Sequence, residues 1–310
     1  MNIRQEFVDS LPSQMPAVQK TPESRHKKYL KAGHRHYQGK VRDLYANDEH
    51  LIVFHSDRLT AFDRSICNIP YKGSMLAAFT WYWMNHLKNI VPTQSVEVID
   101  CRTLQVDCCQ PIKIEVVVRG YLAGSMLRSY KAGERVFHGK TLPDDLKDFS
   151  ALPEVMITPT SKADVFEHDV DISEDDILAQ KLCTESQWLK IKEYAFSIFS
   201  EGQKKYAEAG WILADTKYEF GLRGSDVVLI DECHSPDSSR LWRRSQSTYP
   251  EMFDKEIVRR YLINQNFSGT GTPPPVPDQL IQELGLAYYD VGASLMQDKF
   301  DEFLSLECVN

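Results

Sequence analysis

The chain has 310 residues, of which 42% are hydrophobic and 26% are charged, a composition typical of a globular protein with an apolar core. Its net charge of -8 argues against a general nucleic-acid-binding protein, because phosphate binding needs a basic surface. No stretch approaches the ~20 apolar residues that a membrane-spanning helix needs, and the first residues lack the apolar segment of a secretory signal. We therefore expect a cytoplasmic protein that binds neither nucleic acid nor a membrane.

The first part of the chain is predicted to be rich in β-structure. Residues 1–36 are polar, contain three prolines and are expected to be irregular. From residue 37 onward, apolar and polar residues alternate around turn residues, a pattern that favours paired strands. A helix is predicted from Ser74, acting as its N-cap, through His86. Two further strand-like segments lie within residues 96–118, so residues 1–118 are predicted to form an N-terminal β-rich domain.

The rest of the chain, residues 119–310, is predicted to be a larger mixed domain. Residues 139–171 contain three prolines and are expected to be loop-like. Two helices are predicted from capping boxes, in which the N-cap side chain and the side chain three residues later each bond the other's backbone; the pairs are Ser173 with Asp176 and Thr184 with Gln187. Two strands, 211–220 and 227–232, follow the second helix, and a last helical region begins near Phe253.

The two predicted strands at 211–232 carry a dense set of charged residues. If the first strand is regular, Asp215, Lys217 and Glu219 lie on one face because side chains alternate with a period of two. Asp231 joins that face only if the hairpin register pairs residues such as Lys217 with Asp231. Carboxylates grouped in this way are natural ligands of magnesium, whereas the simpler interpretation is a solvated strand face with cross-strand ion pairs.

Three flanking loops favour an anion-binding enzyme. Residues 234–240, HSPDSSR, follow the carboxylates directly and end on Arg240, which can grip a phosphate with two hydrogen bonds beside Ser238. Arg119 and Ser125 bracket a glycine-containing turn at a predicted helix start, which is a good position for phosphate or carboxylate. Residues 39–42, GKVR, supply two cations on the first hairpin, a pattern that fits either a cover for a triphosphate or a solvated edge strand. The P-loop and G-x-G-x-x-G fingerprints of common nucleotide sites are absent from the sequence.

These segments belong to an ordered series of motifs within residues 37–260: GKVRDLY, SDRLTAFD, KGSMLAAFTWYW, VVVRGYLAGS, TPTSKADVFEHD, ADTKYEFGL and LIDECHSPDSSRLW. The series resembles the SAICAR synthetase (phosphoribosylaminoimidazole-succinocarboxamide synthase) family. The resemblance implies an ATP-dependent ligase that joins the carboxylate of carboxyaminoimidazole ribotide to the amine of L-aspartate, giving SAICAR, ADP and phosphate in de novo purine biosynthesis. It also implies an α+β fold, with an N-terminal antiparallel β domain resembling a kinase small lobe and a C-terminal α+β domain related to ATP-grasp enzymes.

The same resemblance assigns roles residue by residue. It places Glu219 and Asp231 on Mg²⁺, Lys217 at the reacting carboxylate, and Asp215 at the imidazole side of the ribotide. The ribotide-binding positions are Arg119, Ser125, Asp237, Ser238 and Arg240. The ATP-binding positions are Lys40, Arg42 and the backbone around Cys109 and Ile112. Lys162, Asp164 and His168 belong to a loop near the substrates, without an assigned role.

The implied partners are small molecules, and the oligomeric state is open between monomer and homodimer. Two other functions compete with the ligase. A small-molecule kinase would fit the kinase-like N-terminal half, but the H-R-D and D-F-G signatures are missing from the sequence. A nucleotide-binding regulatory module would need no catalytic residues, and the intact set of Asp215, Lys217, Glu219 and Asp231 argues against it.

Overall fold

The computed structural model describes residues 19–162, 170–243, 245 and 249–307. Its helices, numbered in chain order, are α1 Glu23–Lys31, α2 Lys72–Leu87, α3 Gly124–Lys131, α4 Glu174–Ala179, α5 Glu185–Glu208, α6 Glu256–Asn264, α7 Asp278–Met296 and α8 Asp298–Leu304. Among the described helices, none is both long and apolar enough to cross a membrane.

The strands, numbered in the same way, are β1 Arg35–Gln38, β2 Arg42–Ala46, β3 His50–His55, β4 Arg58–Ala61, β5 Arg64–Asn68, β6 Val96–Asp100, β7 Thr103–Asp107, β8 Gln110–Tyr121, β9 Val136–Phe137, β10 Lys140–Thr141, β11 Ala151–Ser161, β12 Ile212–Arg223, β13 Asp226–Ile230, β14 Ser239–Arg243 and β15 Glu251–Met252. In the described part of the chain, these strands pair with one another in antiparallel orientation. The fold is therefore a mixed α+β architecture built on antiparallel sheets, as predicted. The proposed likeness to a kinase small lobe and to ATP-grasp enzymes stays a prediction.

Two sheets carry the architecture. The first has the strand order β1-β2-β3-β7-β6, and the second has the order β11-β8-β12-β14-β15. Strand β13 pairs with residues 219–223 of β12, beyond the part of β12 that pairs with β14. Helix α2 packs on the first sheet, and its residues Leu76, Phe79 and Trp83 are all at most 2% exposed. Strand β8 belongs to the second sheet and continues through residue 118, where the sequence predicts the domain boundary; the division at that residue stays a prediction.

Helix α5 packs against the second sheet and shows how local sequence sets its ends. Thr184 caps its N-terminus in the predicted capping box with Gln187, and the same arrangement of Ser173 with Asp176 begins α4. Past the C-cap of α5, Gly210 has a φ of 85°, a left-handed conformation that glycine adopts without strain. Both predicted helix starts are confirmed. The sequence could predict them because a capping box depends on residues only three positions apart.

Three local predictions are wrong. Residues 1–36 were expected to be irregular, yet helix α1 and strand β1 form within the described part of this segment. Helix α2 begins at Lys72 after Tyr71, so Ser74 lies inside the helix and is not its N-cap. The prolines of 139–171 predicted a loop, but β11 spans Ala151–Ser161. Because β11 is an edge strand, a proline such as Pro159 breaks no ladder hydrogen bond that the sheet needs.

Candidate active site

A cleft of about 880 Å³ lies between the two sheets. Strands β2, β3 and β7 line one wall, and β8, β12 and β14 line the other. The alternation predicted for β12 is confirmed, since Asp215, Lys217 and Glu219 all face this cleft. The sheet order places β12 between β8 and β14, so its charged residues lie at the centre of the wall.

Lys217 is held between two carboxylates in the middle of the cleft. Its Nζ lies 2.5 Å from Glu115 Oε1 and 3.1 Å from Glu219 Oε1. Burial opposes the charge on this lysine, but Glu219 and Glu115 outweigh it and raise its pKa above the ordinary value. The ammonium group is therefore charged at neutral pH and is fixed at one point of the cleft. Lys162 reaches the other oxygen of Glu219 from the end of β11.

Asp231 reaches the cleft by a route that the sequence does not predict. The register pairs Glu219 with Ile230 and Phe220 with Leu229, so the pairing of Lys217 with Asp231 on which the prediction depended is wrong. Strand β13 ends at Ile230, and Asp231 has a left-handed φ of 65°. This conformation breaks the strand alternation, and the carboxylate faces the cleft despite the register.

An ion pair joins Asp231 to the opposite wall. Arg42, on β2, donates to both carboxylate oxygens of Asp231, with a distance of 3.0 Å from Nη2 to Oδ2. Burial opposes ionisation of Asp231, but Arg42 outweighs it, so the pKa of this carboxyl is held well below its ordinary value. Nearby, Lys40 Nζ lies 2.6 Å from Asp63 Oδ1. Two predicted ATP-binding cations therefore lie on the wall that faces the carboxylates.

At one end of the cleft, two arginines share the carboxylate of Asp215. Arg240 Nη1 donates to Asp215 Oδ2 at 2.8 Å, and Arg119 Nη1 lies 3.7 Å from the same oxygen. Arg119 also donates to Ser125 Oγ at 3.2 Å. Gly124 makes this packing possible, because a Cβ at that position would lie 2.5 Å from Arg240 Nη2. The predicted ribotide-binding residues Arg119, Ser125 and Arg240 are thus brought together.

Buried side chains anchor the loop that follows Asp231. Asp237 accepts a hydrogen bond from Tyr288 at 2.9 Å and lies 3.2 Å from Lys72 Nζ and 3.5 Å from Lys255 Nζ. Burial opposes its ionisation, but Lys255 and Lys72 together hold the pKa of Asp237 well below its ordinary value. Ser238 follows and lines the cleft. Asp237 lines the cleft as well, and both predicted residues are bonded to protein groups, since Ser238 Oγ accepts a hydrogen bond from the backbone N–H of Ser235 at 3.2 Å.

The region predicted to contact adenine is apolar. Leu51 and Val53 on β3 and Leu104 and Val106 on β7 line this part of the cleft, and Cys109 lies beside them. The side chain of Ile112 is buried in the core at 5% exposure. Only the backbone of Ile112 is then left for the predicted contact.

The order and identity of these site residues agree with one protein family. Residues 35–274 match the family described as SAICAR synthetase. The chain belongs to the SAICAR synthetase family. A relative from Cytophaga hutchinsonii, named phosphoribosylaminoimidazole-succinocarboxamide synthase, is 37% identical over 274 residues, which cover 85% of this chain and 88% of the relative.

Solved structures of the SAICAR synthetase family share the fold. SAICAR synthase from Saccharomyces cerevisiae complexed with SAICAR superposes with a TM-score of 0.74 at 27% identity, covering 86% of this chain and 96% of that one. A SAICAR synthetase in complex with ADP gives a TM-score of 0.63 at 26% identity, covering 78% of this chain and all 100% of the other. The extent of coverage shows that the match is to whole enzymes and not to a fragment.

Two buried residues that contact this SAICAR synthetase site were not predicted from the sequence. Lys72 is fully buried, with 0% of its surface exposed, and its position in the KGSML motif was the available signal. Asp254 is also buried and lines the cleft, where it accepts hydrogen bonds from the backbone of Leu241 and Glu256. Burial raises the pKa of Asp254 to about 7, and the nearby Arg240 offsets only part of this effect. Asp164 and His168 lie outside the described residues.

Proposed function

We propose that the chain catalyses the ATP-dependent ligation of carboxyaminoimidazole ribotide with L-aspartate, giving SAICAR, ADP and phosphate in the cytoplasm. The observation that carries the proposal is the charge order of the cleft. The face of β12 that carries Asp215, Lys217 and Glu219 lies at the centre of the cleft. Lys40 and Arg42 lie on the opposite wall, and Arg119 and Arg240 lie at one end. Three anionic reactants can be held together only where cations offset their repulsion, and this cleft supplies them along its whole length.

The nucleotide is placed against the first sheet. The apolar wall of Leu51, Val53, Leu104 and Val106 suits an adenine ring, whose burial there is favoured by the hydrophobic effect. The backbone near Cys109 closes this pocket. Lys40 and Arg42 lie on the same wall, in the direction of the carboxylates, and are assigned to the phosphates.

Glu219 and Asp231 are assigned to Mg²⁺. Within residues 19–162, 170–243, 245 and 249–307, no group of three His, Cys, Asp or Glu side chains is arranged to hold a metal ion. Two carboxylates nevertheless fit magnesium, which proteins hold by one or two carboxylates with waters and substrate phosphates in the remaining positions. Both side chains face the cleft and have cationic partners. The bound metal would draw electron density from the transferred phosphoryl group.

The ribotide is placed at the arginine end, with its phosphate on Arg119, Ser125 and Arg240 and its imidazole side near Asp215. Its carboxylate then points along β12 toward Lys217. A carboxylate is a poor electrophile, so one of its oxygens attacks the γ-phosphorus and ADP leaves. The amine of aspartate attacks the resulting acyl carbon, phosphate leaves, and the amine loses a proton. Lys217 offsets the negative charge at the point where these groups meet, and positioning supplies much of the rate.

Release of ADP in the presence of magnesium tests the proposal directly. The assay adds carboxyaminoimidazole ribotide and L-aspartate singly and together to the protein with ATP. The ligase predicts steady turnover only with both substrates, together with formation of SAICAR. Turnover without aspartate would indicate a kinase, and no turnover with both would indicate a binding module; either result refutes the proposed function.

A further inference from the structure

We propose that Arg128 binds the phosphate group of the ribotide and makes the enzyme select the phosphorylated substrate over its riboside. The inference rests on the proposed function and extends it to a residue outside the motif positions of the arginine end. It is carried by the placement of Arg128 in the cleft and by its lack of a counter-charge.

Helix α3 presents Arg128 to the cleft beside a residue of the phosphate site. Arg128 follows Ser125 by three positions, so the two side chains are neighbours on one helical face. Both line the cleft. The opposite face of the helix is fixed, because Met126, Leu127 and Tyr130 are buried in a local core. The helix therefore has one stable rotation about its axis, which leaves Ser125 and the exposed side chain of Arg128 on the side of the cleft.

The cations elsewhere in the cleft already have carboxylate partners. Ion pairs are formed by Lys40, Arg42, Lys162, Lys217, Lys255 and Arg240. Arg128 differs from them, since its side chain has no carboxylate within ion-pairing distance in the part of the chain that the structure describes. An arginine in a cleft is charged at every physiological pH, so this guanidinium remains available for an anionic ligand.

Three guanidinium groups, those of Arg119, Arg128 and Arg240, interact with one another at the arginine end. Burial, with added repulsion from Arg240 and Arg128, lowers the pKa of Arg119 even though Asp215 and Asp171 favour its charge. Among the described residues, the carboxylates that act on this cluster are Asp215, Glu256, Asp254 and Asp171, and Arg128 forms an ion pair with none of them. A dianion placed among the three arginines removes this repulsion, whereas a neutral group does not.

The donors around Ser125 suit a phosphate monoester. Ser125 Oγ accepts a hydrogen bond from Arg119, so its own hydroxyl hydrogen is free to be donated to an acceptor. A phosphate monoester has three terminal oxygens and can accept from this hydroxyl and from two guanidinium forks at once. A carboxylate carries a single charge on two oxygens, so it would offset less of the repulsion among the three arginines than a dianionic phosphate does.

Calorimetric binding of SAICAR and of its dephosphorylated riboside tests the inference. The proteins are the wild type, Arg128→Met, Arg128→Lys and the control Lys131→Met. Lys131 lies on the same helix but is paired with Asp148 and does not line the cleft. A hydrogen-bonded ion pair of this kind is worth roughly a 10- to 100-fold change in affinity.

Arg128→Met is expected to weaken SAICAR binding by that factor and to leave riboside binding unchanged. Arg128→Lys should recover part of the loss, and Lys131→Met should bind both ligands as the wild type does. Equal weakening of both ligands by Arg128→Met would mean a structural role and overturns the inference, as does no weakening at all. If the wild type turns over ribotide with aspartate while Arg128→Met keeps full SAICAR affinity, only this inference fails. If the wild type neither binds SAICAR nor turns over, the proposed function fails with it.

Discussion

Replacing Gly202 with alanine is expected to destabilise the protein, against what helix propensity predicts. Gly202 lies inside α5, where a change from glycine to alanine ordinarily stabilises a helix by about 1 kcal/mol. Here an added Cβ would lie 2.4 Å from Cε1 and 2.7 Å from Nε2 of the His234 ring. These distances are far shorter than any van der Waals contact, so either the ring or the helix must move.

The surroundings of His234 prevent an easy shift. The residue has 0% of its surface exposed, its Nε2 lies 2.5 Å from the hydroxyl oxygen of Tyr218, and its ring meets that of Trp83 edge-on at 4.4 Å. Overpacking of this kind costs about 1–3 kcal/mol, and loss of the Tyr218 hydrogen bond costs about 1 kcal/mol more. After subtraction of the propensity gain, we expect Gly202→Ala to lower the free energy of unfolding by about 2 kcal/mol.

Urea unfolding of a small set of variants measures this effect. Ser200→Ala, at an exposed position of the same helix, serves as the matched control and should change the stability little. In a His234→Ala background the clash is absent, so Gly202→Ala should there become neutral or stabilising. Wild-type stability in Gly202→Ala, or an unchanged penalty in the His234→Ala background, would refute the reasoning. Because His234 begins the loop that carries Asp237, the variant should also lose turnover.

Three further outcomes are expected. Glu219→Gln and Asp231→Asn should each raise the magnesium concentration for half-maximal turnover by roughly 10-fold or more, as a magnesium titration measures, and an unchanged requirement would contradict the metal assignment. Burial, aided by His86, lowers the pKa of His234 to about 3, so the folded state favours the neutral ring. The folded protein is not penalised by this group above the unfolded pKa of histidine, and it loses about 2 kcal/mol of stability from it as the pH falls to 5. The free energy of unfolding of the wild type should therefore fall by that amount more than that of His234→Gln over this pH range. Identical pH curves for the two proteins would exclude the effect. Lys72→Met should lower the free energy of unfolding by about 3 kcal/mol, because it removes a buried cation from Asp237; a denaturation curve like that of the wild type would show that the ion pair adds no stability.

The sequence by itself determined the features that depend on short-range order. The capping boxes at Ser173 and Thr184 were predicted because their partners lie three residues away. The shared face of Asp215, Lys217 and Glu219 followed from the period of a strand. The ordered motifs placed the chain in its family, since each motif is a contiguous string of residues.

Only the tertiary structure decided the features that depend on distant partners. Asp231 faces the cleft because its backbone turns left-handed at the strand end, and Arg42, 189 positions away, then pairs with it. The prolines of β11 are tolerated because sheet order puts that strand at an edge. Burial of Lys72 beneath the loop of Asp237 depends on three elements meeting in space, and a sequence pattern with a period of a few residues contains no information about such a meeting.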